Sequence, residues 1–283
     1  MNLRSYYLLT KPGIILGNAV TATGGFALAS KGRLNPSLFF FTLLGLSLIV
    51  ASGCVANNYL DRHSDQKMAR TRHRPLATGT IPPVHALIES LLLLLSGALL
   101  LFQTNLLTTL IALFGFLVYV AIYTIWKHKT LYGTAIGSIA GAIPPVIGYS
   151  AVTNQLDLAA LLLFLIVVFW QMPHFFAIAM YRFDDYAAAS IPVFPVVRGM
   201  HAAKIRILSY IVAFTLSSSM LTLSGYVGYA YLTVASLLGL GWLWLALQGF
   251  KSTNDTLWAR KMFLSSLIVI MALSLMMSVD GFY

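Results

Sequence analysis

Asn57, Asp61 and Asp65 stand four residues apart in a chain that has little use for polar side chains. Only 9% of its 283 residues are charged, yet the segment from Asn57 to Arg74 holds two of the eight acids together with Arg62, Lys67, Arg70, Arg72 and Arg74. On a helix, a step of four residues advances about 6 Å and turns by only about 40°, so the three oxygen-bearing side chains form one stripe. Oxygen donors in that arrangement suit a hard cation such as Mg²⁺, which takes one or two carboxylates and completes its shell with water and phosphate. Zinc fits less well: His63 and His73 lie nearby, but no cysteine joins them and they lack a two-histidine helical spacing. The excess of cations over acids then points to a polyanion, such as a diphosphate held by metal and arginine together. The competing reading is a solvated helix end laced with ion pairs, Asp61 with Arg62 or Asp65 with Lys67. That reading leaves the cation excess and the Asn57–Asn58 pair without a role.

A second polar segment runs Trp170-Gln171-Met172-Pro173-His174-Phe175-Phe176, then Tyr181-Arg182-Phe183-Asp184-Asp185-Tyr186. Tyr181 and Asp185 are again four apart and could supply a second metal ligand set or a proton acceptor; a capped, solvated loop would look the same. His174 falls inside an apolar run, where a lone histidine is either hydrogen-bonded or functional. His85, His128 and His201 lie at the edges of apolar runs and are assigned no chemistry. Glu89 is expected to face the protein interior and to pair with a cation or with backbone. The single Cys54 excludes an internal disulfide and reads as a small buried hydrophobe.

The elements that must position these residues are membrane spans. With 59% hydrophobic residues and a mean hydropathy of +0.83, the composition is that of a multi-pass membrane protein. A span needs about 20 apolar residues. Nine are read at 14–30, 37–57, 84–102, 106–126, 133–151, 158–180, 207–224, 228–248 and 261–279. Strand-like alternation is absent, so the expected fold is all-α: a polytopic helical bundle forming one domain over 1–283. The net charge of +10 is dealt out in small groups between apolar runs, which argues against nucleic acid as a partner. Those groups fall after the even-numbered spans and before the first, leaving only Lys31 and Arg33 on the opposite side. This positive-inside pattern predicts a cytoplasmic N-terminus and places both polar segments on the cytoplasmic face. The first apolar run reads as a retained span, because no small-residue cleavage site follows it. Gly24-Gly25, Gly137, Gly141, Pro144-Pro145 and Pro173 read as sites of close helix packing and kinks.

Asn57-x-x-x-Asp61-x-x-x-Asp65, followed by Arg70-Thr71-x-x-Arg74-Pro75-Leu76, resembles the first signature of the intramembrane (UbiA-type) aromatic prenyltransferases. Trp170 to Phe175, Arg182 to Tyr186, Gly141-Ala142-Ile143-Pro144-Pro145 and Trp258-Ala259-Arg260-Lys261 are similar to the branch of that family that prenylates haem. The resemblance covers nearly the whole chain. It implies transfer of a farnesyl group from farnesyl diphosphate to a vinyl group of haem B at the cytoplasmic side of a bacterial inner membrane. Mg²⁺ would bridge the diphosphate to Asp61 and Asp65, with Asn57 as further ligand. Lys67, Arg70, Arg74 and Lys127 would neutralise the leaving group. Tyr181, Trp170, Phe175 and Tyr123 are candidates to face the allylic cation, His174 to contact haem at its iron or edge, and Arg182 or Arg198 to meet its propionates. Association with the assembly of a haem-using terminal oxidase is a further implication. Where many relatives carry a second Asp-x-x-x-Asp motif, this chain has Tyr181-x-x-x-Asp185 or the pair Asp184-Asp185, and Asp185 is the preferred candidate. One alternative is the same fold acting on a quinone precursor. Another is a transporter of an anionic metabolite, although such a site would lie at the midplane rather than at one mouth.

Overall fold

The computed structural model describes residues 3–280. They form helices joined by short connections, with no strand among the described residues. Among the described residues, nine helices are long and apolar enough to cross a membrane: Pro12–Ser30, Pro36–Asp65, Pro83–Phe102, Leu106–Trp126, Gly133–Thr153, Leu158–Tyr181, Phe194–Leu223, Tyr229–Lys251 and Asp255–Asp280. They are called spans one to nine below. A short helix, Leu3–Leu9, precedes them, and another, Phe183–Ala188, follows span six.

Local chemistry starts the spans cleanly. Asn35, Asn105 and Asp157 cap spans two, four and six, each side-chain oxygen accepting the backbone N–H three residues on, at 3.1, 2.8 and 3.1 Å. Proline opens spans one, two, three and seven within the first turn, where its missing N–H costs nothing.

Three span limits differ from the sequence expectation, for one reason. Span two continues from an apolar run into the polar stripe as a single helix ending at Asp65. Span seven begins at Phe194 rather than 207, and span nine at Asp255 rather than 261. Arg198, His201, Lys204 and Arg206 in the one, and Asp255, Arg260 and Lys261 in the other, dilute hydropathy without breaking the helix. A helix is free to extend beyond the apolar slab, and hydropathy reports only the slab. Span seven also turns sharply at Gly199, whose φ of 84° is open to glycine at little cost.

Spans one and five pack at backbone contact. A Cβ on Gly25 would lie 2.1 Å from the Pro145 carbonyl oxygen, and one on Gly148 would lie 2.0 Å from that of Ala22. The largest buried cluster joins spans five, six, seven, eight and nine through residues such as Tyr149, Ile166, Phe176, Phe214, Trp242 and Met262.

Candidate active site

Span two delivers Asn57, Asp61 and Asp65 to one end of the bundle, and all three are buried. Each is met by a cation. Lys11, where the chain enters span one, donates from Nζ to Asn57 Oδ1 at 2.7 Å. Lys127, just past span four, donates to and pairs with Asp61 Oδ2, while His128 Nε2 lies 3.3 Å from Asp61 Oδ1. Arg74 donates from Nη1 to both oxygens of Asp65, at 3.0 and 2.9 Å. Burial among neighbouring cations pushes the Lys11 ammonium down to about 8, even though Cys54 and Asp61 pull the other way. The adjacent Asn58 donates to the Leu9 carbonyl at 2.8 Å and ties down the short N-terminal helix.

Span four reaches this end through a six-residue π-helical stretch, Val118–Tyr123, a geometry often found at functional positions. There Tyr119 and Tyr123 stack with ring centres 5.6 Å apart. Thr124 closes the stretch by donating to the Tyr119 carbonyl at 2.9 Å and accepts from Asn57 Nδ2 at 3.0 Å. The wider π turn therefore fixes Asn57, Lys127 and two tyrosines relative to one another.

A cavity of about 630 Å³ runs inward from Lys11's neighbours. Its lining is mainly apolar and includes Gly53 and Cys54, one turn below Asn57, then Tyr119, Tyr123, Trp170, Phe175 and His174. His174 Nδ1 lies 2.7 Å from Ser266 Oγ of span nine, with its ring stacked on Trp170 at 4.9 Å. Pro173 lies inside span six here and removes one backbone donor from it. Gly141 admits the Gln171 amide: a Cβ there would lie 2.0 Å from Gln171 Oε1.

The second polar segment is not the continuous stripe that its spacing suggested. Span six ends at Tyr181, Arg182 is non-helical at φ −112° and ψ 28°, and Asp185 sits on the separate helix Phe183–Ala188. Tyr181 and Asp185 therefore do not share one helical face. Asp185 is half-buried with Arg182 Nη1 at 3.8 Å, whereas Asp184 is exposed. Tyr181 lies outside the cavity lining, its ring 5.7 Å from Phe263. The segment does approach the first one: Tyr186 is half-buried, burial raises its phenol, and Arg70 and Lys127 are close enough to oppose that shift. Lys67, Arg70 and Arg198 are exposed and form no ion pair among the described residues. Glu89 also departs from expectation, since its Oε2 is buried without a hydrogen-bond partner.

Sequence reasoning missed Lys11, Thr124 and His128. Both Lys11 and His128 lie at the ends of apolar runs, where a lysine reads as membrane topology and a histidine as an edge residue. The one local signal for Lys11 is its place beside Pro12, which puts a cation at the threshold of the first span.

Among the described residues no three His, Cys, Asp or Glu side chains gather at one point. The available donor set is two buried carboxylates and one carboxamide oxygen, all hard, and protein cations stand against each of them. Such a set fits Mg²⁺, which needs few protein ligands when phosphate supplies others.

An integral-membrane bundle with a cation-rich carboxylate mouth over an apolar, chain-sized cavity defines a class that handles a lipid bearing an anionic head. The chain belongs to the UbiA prenyltransferase family, which it matches over residues 18–267. It is 56% identical over 276 residues to the protoheme IX farnesyltransferase of Protochlamydia amoebophila (strain UWE25), covering 97% of this chain and 98% of that protein. The protoheme IX farnesyltransferase of Yersinia pestis (strain Pestoides F) is 53% identical over 282 residues, covering 99% and 95%. Among solved structures, digeranylgeranylglyceryl phosphate synthase shares the fold with a TM-score of 0.81 at 17% identity, covering 99% of this chain and 98% of that one. A UbiA homolog from Archaeoglobus fulgidus bound to GPP and Mg²⁺ does so with a TM-score of 0.72 at 13% identity, covering 97% and 99%.

Proposed function

We propose that this protein transfers the farnesyl group of farnesyl diphosphate to a vinyl group of haem B, giving haem O and diphosphate. The observation that carries this reading is the junction of the Asn57–Asp61–Asp65 mouth with the aromatic cavity, in a chain 56% identical to a protein named for that reaction. The side that bears the mouth is proposed to face the cytoplasm across a bacterial inner membrane, as the distribution of lysine and arginine indicates.

The diphosphate head would sit at the mouth, with Asp61, Asp65 and Asn57 as metal ligands. A divalent metal bound there would neutralise diphosphate charge and favour its departure. Lys127, Arg74 and Lys11 supply positive charge where negative charge grows on the leaving group, and their partial burial strengthens that effect. Lys67 and Arg70 stand exposed on the approach. Tyr119, Tyr123, Trp170 and Phe175 line the cavity, and aromatic rings there can stabilise an allylic cation and exclude water from it. The C1–O bond breaks and its electron pair leaves with the diphosphate. The terminal vinyl carbon of haem then bonds to C1, water adds to the other vinyl carbon, and one proton is released. Asp185 is the candidate acceptor for that proton. Arg182 or Arg198 would pair with the propionates. The product is confined to the membrane by its new chain, so a membrane protein that uses haem, such as a terminal oxidase, is its natural recipient.

Membranes containing the protein, supplied with haem B, farnesyl diphosphate and Mg²⁺, should form haem O, followed by chromatography. Asp61→Asn and Asp65→Asn should each lose at least about 10²-fold in rate, the scale set by removal of one electrostatic contributor. Full activity in either variant refutes the metal assignment. Prenylation of a phenolic acid with haem left unchanged refutes the acceptor.

A further inference from the structure

Ser266 of span nine fixes the chemical form in which His174 faces the cavity. The Ser266 hydroxyl has one proton, and it is spent on the Phe263 carbonyl at 2.5 Å. With the hydroxyl proton so assigned, the contact with His174 Nδ1 at 2.7 Å is donated by the imidazole, and the ring proton is assigned to Nδ1. The other ring nitrogen, Nε2, is left as a lone pair with no hydrogen-bond partner among the described residues, on a side chain that lines the cavity. The ring is also clamped. Trp170, one turn earlier, stacks on it at 4.9 Å and donates from Nε1 to the Ser266 carbonyl at 2.8 Å, while the Phe263 ring packs against it, tilted, at 4.9 Å. One buried serine thus holds two neighbouring cavity groups of span six through separate atoms.

A neutral imidazole that donates from one nitrogen to a fixed oxygen and offers the other to an apolar space is built like a metal ligand with its supporting partner. Resting on the haem reading above, we propose that His174 Nε2 is an axial ligand to the iron of the acceptor haem, and that Ser266 is the positioning residue that selects this tautomer. The site would then recognise its acceptor as a metalloporphyrin rather than by its rim alone, because iron offers a coordination position that a metal-free porphyrin lacks.

The test uses the purified full-length protein in detergent with haem B and with metal-free protoporphyrin IX. Wild type should show the absorption bands of histidine-ligated haem and bind protoporphyrin IX at least about 10-fold more weakly, the lower end of losses seen when metal-site support is removed. His174→Ala and His174→Gln should lose the histidine-ligated bands, and added imidazole should restore them in His174→Ala. Ser266→Ala should keep histidine ligation but lower the ferrous iron–histidine stretching frequency by resonance Raman, and Ser266→Thr should return it. A merely structural serine would leave that frequency unmoved. If wild type binds haem and both His174 variants keep its spectrum, iron ligation is overturned while haem as acceptor stands. If wild type neither binds haem nor farnesylates it, the acceptor reading itself falls.

Discussion

Lys11 shows how one residue can serve chemistry and architecture together. It sits in left-handed backbone at φ 52° between the short N-terminal helix and span one, which costs energy for a residue with a Cβ. The geometry turns its ammonium onto Asn57, 46 positions away in sequence. No spacing rule reveals such a contact, because it depends on which helices become neighbours. Asn57, Asp61 and Asp65 were legible because their relation is internal to one helix; Lys11, His128 and Thr124 were not, because theirs is tertiary. If Lys11 supplies charge to the diphosphate, Lys11→Met should lower kcat/KM for farnesyl diphosphate by about 10²-fold, the scale of losing one preorganised contributor. Lys11→Arg should recover part of that loss. Unchanged kinetics in Lys11→Met would reduce Lys11 to a structural strut, and calorimetric titration with farnesyl diphosphate and Mg²⁺ would show the same separation in affinity.

At the scale of elements, the nine spans were readable because bilayer thickness imposes a length and the lysine and arginine alternation imposes a count. Polar extensions of spans two, seven and nine were harder to bound, since nothing in hydropathy distinguishes a helix that continues into water from a loop. The break at Arg182 was also hidden: the four-residue interval from Tyr181 to Asp185 is helical in sequence and non-helical in space. Close approach between helices was legible only as glycine content. Its consequence is testable at Gly25, where an added methyl would meet the Pro145 backbone rather than a movable side chain. Gly25→Ala should cost about 1–3 kcal/mol through overpacking. A lowered midpoint of thermal aggregation in detergent should report it. The control Gly17→Ala, with open space at the same test position, should leave the midpoint unchanged. Equal midpoints in both variants would mean that spans one and five separate readily.

For the molecule as a whole, the ion pairs at the mouth carry a thermodynamic consequence. Asp61 and Asp65 already hold Lys127 and Arg74, with side chains largely shielded from solvent. Breaking such a pair by removing one member costs about 3–5 kcal/mol, because the remaining charge stays buried and uncompensated. Metal alone must displace these cations from the carboxylates and leave them without a counter-charge, so Mg²⁺ by itself should bind weakly. Diphosphate alone adds negative charge beside two carboxylates and should bind weakly as well. Arriving together, each compensates what the other disturbs: the metal takes the carboxylates, and the released lysine and arginine take the phosphates. The two ligands should therefore bind with strong positive coupling. Thermal unfolding in detergent should show little shift with Mg²⁺ alone or with farnesyl diphosphate in chelator. The pair at about 100-fold excess over Kd should add roughly 2.7 kcal/mol of stability. Chelation should abolish activity while leaving the fold intact, because Lys127 and Arg74 return to their carboxylates. A large stabilisation by Mg²⁺ alone would show that the carboxylates are free for metal in the resting protein, and would remove the exchange of partners from the account of how the site loads.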